Sequence, residues 1–265
     1  MPIGAFEKEL LRLLANNRNP ESFVRGATVL HQSPESPRQS EDVDLFHDTE
    51  RSLEEAVAGD LETLGKAGFQ ARITSRHPTF CRVIVERDGL ATKLEWVFDS
   101  AFRFFPVEPD LDLGWRLNFW DAATNKALAC AGREKLRDFL DLIYLHQQHL
   151  SLGALAWAAA GKDPGLTLES IIEGARRHSQ FPTEDLHRLH LAEPVDFPTL
   201  KKVLIGACAD AEALFVRLPP AEMGCFYLDA QARPVCPNPS SSNFEKLTRH
   251  FGSVKGAWPR IREDE

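Results

Sequence analysis

The sequence lacks several features that would assign a protein at sight. Its five cysteines (81, 130, 208, 225 and 236) are odd in number and never fall as Cys-x-x-Cys. That spacing argues against a disulfide framework or a zinc site and for free thiols in a reducing cytosol. No long apolar run is present, and the N-terminus does not have the layout of a signal peptide, so the expectation is a cytoplasmic chain that neither is secreted nor spans a membrane. Basic residues are in deficit: 31 Lys and Arg stand against 39 Asp and Glu, a net charge of −8. A large nucleic-acid footprint needs clustered cations to neutralise phosphates, so the balance leans away from one, while a local basic groove stays compatible with it. No internal repeat is evident.

What remains is ordinary globular material, 43% hydrophobic and 26% charged over 265 residues. That length suffices for one large domain or two modest ones with a real core. The informative stretch is 26–46. It opens with a turn of small residues, Gly26-Ala27-Thr28, passes through a Ser/Pro-rich loop over 32–40, and ends in Asp42-Val43-Asp44-Leu45-Phe46. In a strand, alternate side chains share a face, so Asp42 and Asp44 project together while Val43 and Leu45 turn to the core. Two neighbouring carboxylates repel unless a cation joins them. Hard oxygen donors suit Mg²⁺, which takes one or two carboxylates along with substrate phosphates. Backbone N–H groups of the small turn suit a triphosphate, with Thr28 adding a hydroxyl.

A small-residue turn followed by Ser-x-Asp-Val-Asp-Leu-Phe resembles the signature of polymerase β-like nucleotidyltransferases, and within them the AbiEii/AbiGii toxin family. That family usually has Gly-Gly-Thr at the turn; Ala27 replaces the second glycine here and narrows the approach of a phosphate. The resemblance implies catalysis and Mg²⁺ (or Mn²⁺) binding by Asp42 and Asp44. A third metal-site carboxylate is expected on a strand beside them. Lys93-Leu94-Glu95-Trp96 resembles that element, which makes Glu95 the candidate and Asp99 the reserve. Arg38, shortly before the acidic pair, is a candidate phosphate ligand together with Gly26, Ala27 and Thr28.

Further along, Lys126…Arg133…Arg137-Asp138-Phe139-Leu140-Asp141 resembles the family's helical-lobe motif. By that resemblance Lys126 binds the triphosphate as a mobile charge, Asp138 positions Lys126 or the nucleophile, and Arg133 or Arg137 pairs with the acids. Read without the family, the same residues are an amphipathic helix with ordinary surface ion pairs. His146/His149 and His187/His190 each sit three apart; with no further ligand near them they read as surface histidines.

Periodicity frames these motifs. Residues 5–16 form an amphipathic helix with Phe6, Leu10, Leu13 and Leu14 on one stripe. Thr28–His31 begins a short helix, and 49–68 is a second long one, stopped at Gly68. Strands are expected over 69–74, 80–86 and 90–98, the last two joined through Arg87-Asp88-Gly89 as a hairpin. Residues 102–120 read as an aromatic crossover, 121–150 as a long helix broken near Gly132, and 152–160, 166–178, 183–191 and 197–216 as four more helices. A Pro/Ser loop over 231–243 and a charged tail close the chain.

The expected class is α+β. A nucleotidyltransferase-like mixed sheet with flanking helices fills residues 1–120, and a mostly α-helical lobe fills 121–265. The implied function is Mg²⁺-dependent transfer of a nucleotidyl group from an NTP to an acceptor hydroxyl on a tRNA, a protein or a small molecule, with an antitoxin protein as implied partner. The alternatives are a catalytically silent nucleotide- or partner-binding module on the same fold, and an antibiotic-type nucleotidyltransferase.

Overall fold

The computed structural model describes residues 3–32, 36–39 and 42–259, the side chains of His187 and Arg188 excepted. Part of the expected Ser/Pro loop over 32–40, Ser40 of the acidic motif and the charged tail lie outside the described residues. Contacts group the chain into two units: Met1–Ala101 with Pro106–Ala122, and Phe102–Phe105 with Ala123–Glu265.

The first unit begins with α1 (Ala5–Leu14), whose Phe6, Leu10, Leu11 and Leu14 are buried. Then come β1 (Ser22–Arg25), the four-residue α2 (Ala27–Leu30), β2 (Asp42–His47) and α3 (Glu50–Lys66). Thr49 caps α3: its hydroxyl accepts from the Ser52 N–H, while the Ser52 hydroxyl accepts from the Thr49 N–H. That reciprocal box satisfies two N–H groups a helix start otherwise leaves open. β3 (Gln70–His77), β4 (Phe80–Arg87) and β5 (Leu90–Phe98) follow. The hairpin between β4 and β5 turns on Asp88 and Gly89, with φ of 55° and 78°, the left-handed pair that matches strand twist in a two-residue loop.

The expected aromatic crossover contains the short strands β6 (Phe102–Arg103), β7 (Glu108–Asp110) and β8 (Gly114–Arg116). Seven strands form one mixed sheet in the order β3-β4-β5-β2-β1-β8-β7. β2 runs antiparallel to β1 and parallel to β5. α1 and α3 cover one face of the sheet and pack on Val43, Leu45, Leu94 and Trp96, all fully buried. Each such aliphatic side chain taken from water contributes roughly 1.5–3 kcal/mol. Beneath α3, the buried Asp60 carboxylate accepts from Arg18 at 2.5 Å, from Trp96 Nε1 at 2.7 Å and from Asn17 at 2.8 Å, tying α3 to β5.

The second unit contains most of α4 (Phe119–Gly132), then α5 (Leu136–Gln148), α6 (Leu152–Ala159), α7 (Leu168–Arg177) and α8 (Phe197–Phe215). The break expected near Gly132 lies between α4 and α5. Phe139 of α5 meets Phe197 of α8 edge-on at 5.0 Å within a core that includes Ile171, Ile172 and Leu204. One expectation needs correction. Residues 183–191 do not make an α-helix: they contain only a 3-10 segment, Thr183–Arg188, between Pro182 and Pro194. The mostly helical C-terminal part also carries short strands. β9 (Cys225–Leu228) pairs antiparallel with β10 (Thr248–Phe251), and β11 (Ser253–Val254) pairs with β6. All five cysteines are free thiols.

Candidate active site

The acidic pair falls where the alternation put it. In β2, Val43, Leu45 and His47 are buried under the helices, while Asp42, Asp44 and Phe46 share the opposite, half-exposed face. Parallel pairing with β5 sets Asp42 beside Lys93 and Asp44 beside Glu95. Antiparallel pairing of β4 adds Arg82 beside Glu95, and β1 adds Arg25 beside Asp44. Three carboxylates are therefore placed on one face of neighbouring strands within two rungs of the ladder.

Cations interleave with them. Lys93 Nζ lies 3.2 Å from Asp42 Oδ1 and 3.3 Å from Glu95 Oε1. Arg82 Nε donates to the same Glu95 oxygen at 2.6 Å. Arg25 pairs with Asp99 and lies over the Phe46 ring at 4.0 Å. Asp99, the reserve for the third carboxylate, is thus tied to Arg25, and Glu95 is the acid brought beside Asp44. Lys93, Arg82 and Arg25 are the neighbours that sequence reading left without a role.

The turn before the pair is built tightly against it. Gly26 has φ 82° and ψ −150°, a conformation essentially reserved for glycine. A Cβ at that position would stand 2.9 Å from Asp44 Oδ2. Ala27 is the first residue of α2, so this second position of the turn tolerates a methyl group. Thr28 is buried, and its hydroxyl donates to the Asp42 carbonyl at 3.4 Å, locking the turn to β2. Arg38 is also buried, donating to the Gln39 carbonyl at 2.9 Å.

The donor set suits a divalent cation. Asp42 and Asp44 are hard oxygen ligands on one face, and the Lys93 ammonium already supplies positive charge between Asp42 and Glu95, a stand-in for such an ion. Among the described residues no group of three or more His, Cys, Asp or Glu is arranged to hold a metal. The fit is therefore to two carboxylates completed by substrate oxygens, the mode Mg²⁺ commonly adopts.

The helical unit has its own charged cluster. Lys126 of α4 is 7% exposed, and its Nζ lies 2.6 Å from Asp138 and 2.8 Å from Asp141, both fully buried on α5. Arg133 Nε donates to the second Asp138 oxygen at 2.8 Å. Burial alone would lower the Lys126 pKa, yet Asp141 and Asp138 together raise it above its ordinary value. Burial opposes ionisation of Asp138, but Lys126 and Arg133 outweigh it and hold that carboxyl below its usual range. Lys126, expected as a mobile charge, is anchored here, and Asp141 is a second anchor beyond the expected Asp138. Of the paired histidines, His146 accepts from the Leu152 N–H at 3.1 Å, and the exposed His149 packs edge-on against Tyr144; the His187 side chain lies outside the described residues.

Comparison with known proteins shows the family and the fold. The family model described as "Nucleotidyl transferase AbiEii toxin, Type IV TA system" matches residues 10–199. Among solved structures, the nucleotidyltransferase toxin MenT4 from Mycobacterium tuberculosis H37Rv is 16% identical with a TM-score of 0.57, covering 82% of this chain and 83% of that one. JHP933 from Helicobacter pylori is 18% identical with a TM-score of 0.53, covering 79% of this chain and 92% of that one. At such identities the two structures show a shared fold. No curated protein matches the chain.

Proposed function

The chain belongs to the nucleotidyl transferase AbiEii toxin family, and we propose that it moves a nucleotidyl group from a nucleoside triphosphate to an acceptor hydroxyl, with Asp42, Asp44 and Glu95 as the reacting centre. The observation that carries this reading is the rung in which Asp44 pairs with Glu95 on a parallel neighbour, beside a Gly26 turn with no room for a Cβ. Family membership supports the reaction class. The choice of Mg²⁺, the NTP and the acceptor are the parts proposed here.

Asp42 and Asp44 are the residues proposed to hold the divalent cation. When bound, such an ion neutralises charge developing on the phosphoryl oxygens. The chain does the rest by position. The Gly26–Thr28 turn, packed closely against Asp44, is the proposed source of backbone N–H groups for the triphosphate. The acceptor oxygen forms a bond to the α-phosphorus as the bond to pyrophosphate breaks in line, and the acceptor proton passes to the carboxylate cluster, with Glu95 the proposed recipient. Arg82 and Arg25, each paired with a carboxylate of this face, keep positive charge close to the transferring group. A triphosphate contact by Lys126, helped by Asp138 and Arg133, requires Lys126 to loosen from two buried carboxylates. Its test is whether Lys126→Arg, which keeps the charge, retains NTP binding that a neutral variant loses. An antitoxin partner and a tRNA, protein or small-molecule acceptor complete the proposal.

The deciding experiment titrates the purified chain with each of the four NTPs, with and without Mg²⁺, and then measures pyrophosphate release. Asp44→Asn is expected to lower Mg²⁺-dependent transfer by more than about a hundredfold while its thermal melt stays close to wild type. Transfer at the wild-type rate in that variant would refute the site. NTP binding without pyrophosphate release over a wide acceptor panel would favour the silent binding module instead.

A further inference from the structure

The face that carries the acids also carries the charge that holds them together. Asp42 and Glu95 stand on adjacent strands two rungs apart, and a single ammonium, Lys93 Nζ, reaches both, at 3.2 and 3.3 Å. Lys93 shares its face with Glu95 because the two are alternate residues of β5, and it meets Asp42 because β2 pairs in parallel at that register. The Asp42 and Glu95 side chains are only 18% and 14% exposed. Two carboxylates so placed would repel with little help from water. Three acids (Asp42, Asp44, Glu95) face two cations (Lys93, Arg82), which leaves one net negative charge. Without Lys93 the cluster would carry two.

We propose that Lys93 is a resident counter-cation, a positioning residue that acts through Asp42 and Glu95. It keeps the carboxylates assembled while no divalent ion is bound, and it must withdraw from Asp42 when one binds. A bare divalent ion therefore competes with an ammonium already in place, and its affinity is low. With Lys93 and Arg82 present, a divalent ion turns the cluster's one net negative charge into one net positive charge. A triphosphate supplies the negative charge that balances it, so cation and nucleotide bind together rather than the cation alone. The inference rests on the carboxylate reading proposed above. Its rival is an ordinary cross-strand ion pair, which contributes little and has no bearing on cation affinity.

The test uses the full chain and needs no turnover. Mn²⁺ binding is followed by electron paramagnetic resonance of the free ion in wild type, Lys93→Met and Lys93→Arg, with and without a non-hydrolysable NTP. Lys93→Met is expected to bind bare Mn²⁺ about tenfold more tightly than wild type or more, since a positive charge some 3–4 Å away has gone. Its metal-free melting midpoint falls below wild type and is restored by Mn²⁺, whereas Lys93→Arg follows wild type in both. Equal bare-Mn²⁺ affinity in wild type and Lys93→Met overturns this proposal and leaves the carboxylate reading standing. Absence of Mn²⁺ binding in every protein, nucleotide present or not, overturns both. If Lys93→Met does not fold, Asp42→Asn/Lys93→Met removes the repulsion together with the ammonium. It is expected to fold and to melt close to Asp42→Asn alone; a much lower midpoint would show that Lys93 does not act through Asp42.

Discussion

The sheet unit and the helical unit each gather lysine, arginine and paired carboxylates at similar distances, yet the two clusters lie in different electrostatic regimes. On β2 and β5 the groups are 14–31% exposed. They keep part of their contact with water, so Lys93 can be displaced by an incoming cation, at the cost of breaking its own pairing. Around Lys126 the carboxylates have no exposure at all, so each ion has given up its hydration and only its partners repay it. The first arrangement suits a site that admits and releases charge; the second suits a fixed node joining α4 to α5. Residue type alone does not separate them. Burial does.

Removing one member of the buried node is the most severe way to break this comparison. Lys126→Met leaves Asp138 and Asp141 charged and buried, and is expected to cost about 3–5 kcal/mol of unfolding free energy, read from the urea midpoint at constant slope. The triple change Lys126→Met/Asp138→Asn/Asp141→Asn should recover much of that loss. A single variant that melts like wild type would mean that water enters the node, and the contrast with the sheet would collapse. The node is insensitive to pH near neutrality. The raised Lys126 pKa gives stability that is lost only above the ordinary lysine range, and the lowered Asp138 pKa gives stability that is lost only as pH falls below the ordinary aspartate range.

A smaller effect is expected at the turn. Gly26→Ala forces a side chain into a conformation glycine alone adopts freely and against Asp44 Oδ2, for about 1–3 kcal/mol. Because Asp44 must shift, Mg²⁺-dependent NTP binding should weaken in this variant even at temperatures where it is fully folded. Calorimetric titration beside a thermal melt separates the two losses. Unchanged NTP affinity would detach the turn from the site.

How far the sequence revealed these regions follows from local pattern. Asp42 and Asp44 on one face needed only strand alternation. The two-residue turn at Asp88-Gly89 fixes the β4–β5 register, so Arg82 opposite Glu95 was accessible by counting back from the turn. Lys93 against Asp42 was not, because it depends on β2 lying parallel to β5, a long-range choice with no local signature. The burial of Lys126 was hidden for a related reason: Lys126, Asp138 and Asp141 read equally well as a solvated helix face until two helices are packed together. β9 escaped notice because Cys225–Leu228 is buried on both sides and shows no alternation, and its partner Thr248–Phe251 lies beyond a Pro/Ser loop.

His47 sharpens the comparison through pH. It occupies the helix-covered face of the same strand that carries Asp42 and Asp44, with Nε2 3.0 Å from the Ser22 hydroxyl. Burial first, and the nearby Arg18 charge second, push its pKa down to about 3. The unfolded chain therefore binds a proton near pH 6.5 that the folded chain refuses until near pH 3. Stability from neutral His47 is complete above about 6.5 and is lost as pH falls, by about 1.4 kcal/mol per pH unit. Unfolding free energies should fall between pH 7 and 5, and His47→Gln should reduce that fall, with a remainder from His146 and His149, whose pKa values burial also lowers. A fall as steep in the variant as in wild type would place the titrating group elsewhere.

The mildest change isolates burial as the variable. Arg51 on α3 pairs with Glu55 at 2.8 Å, the same distance as Lys126 to Asp141, but its side chain is 87% exposed rather than 8%. If distance set the strength of these contacts, Arg51→Ala would rank with Lys126→Met. Solvent screening and the entropy of holding a long side chain argue otherwise, and the expected melting midpoint of Arg51→Ala is that of wild type within error. A clear drop in that midpoint would mean that distance, not desolvation, divides the two clusters.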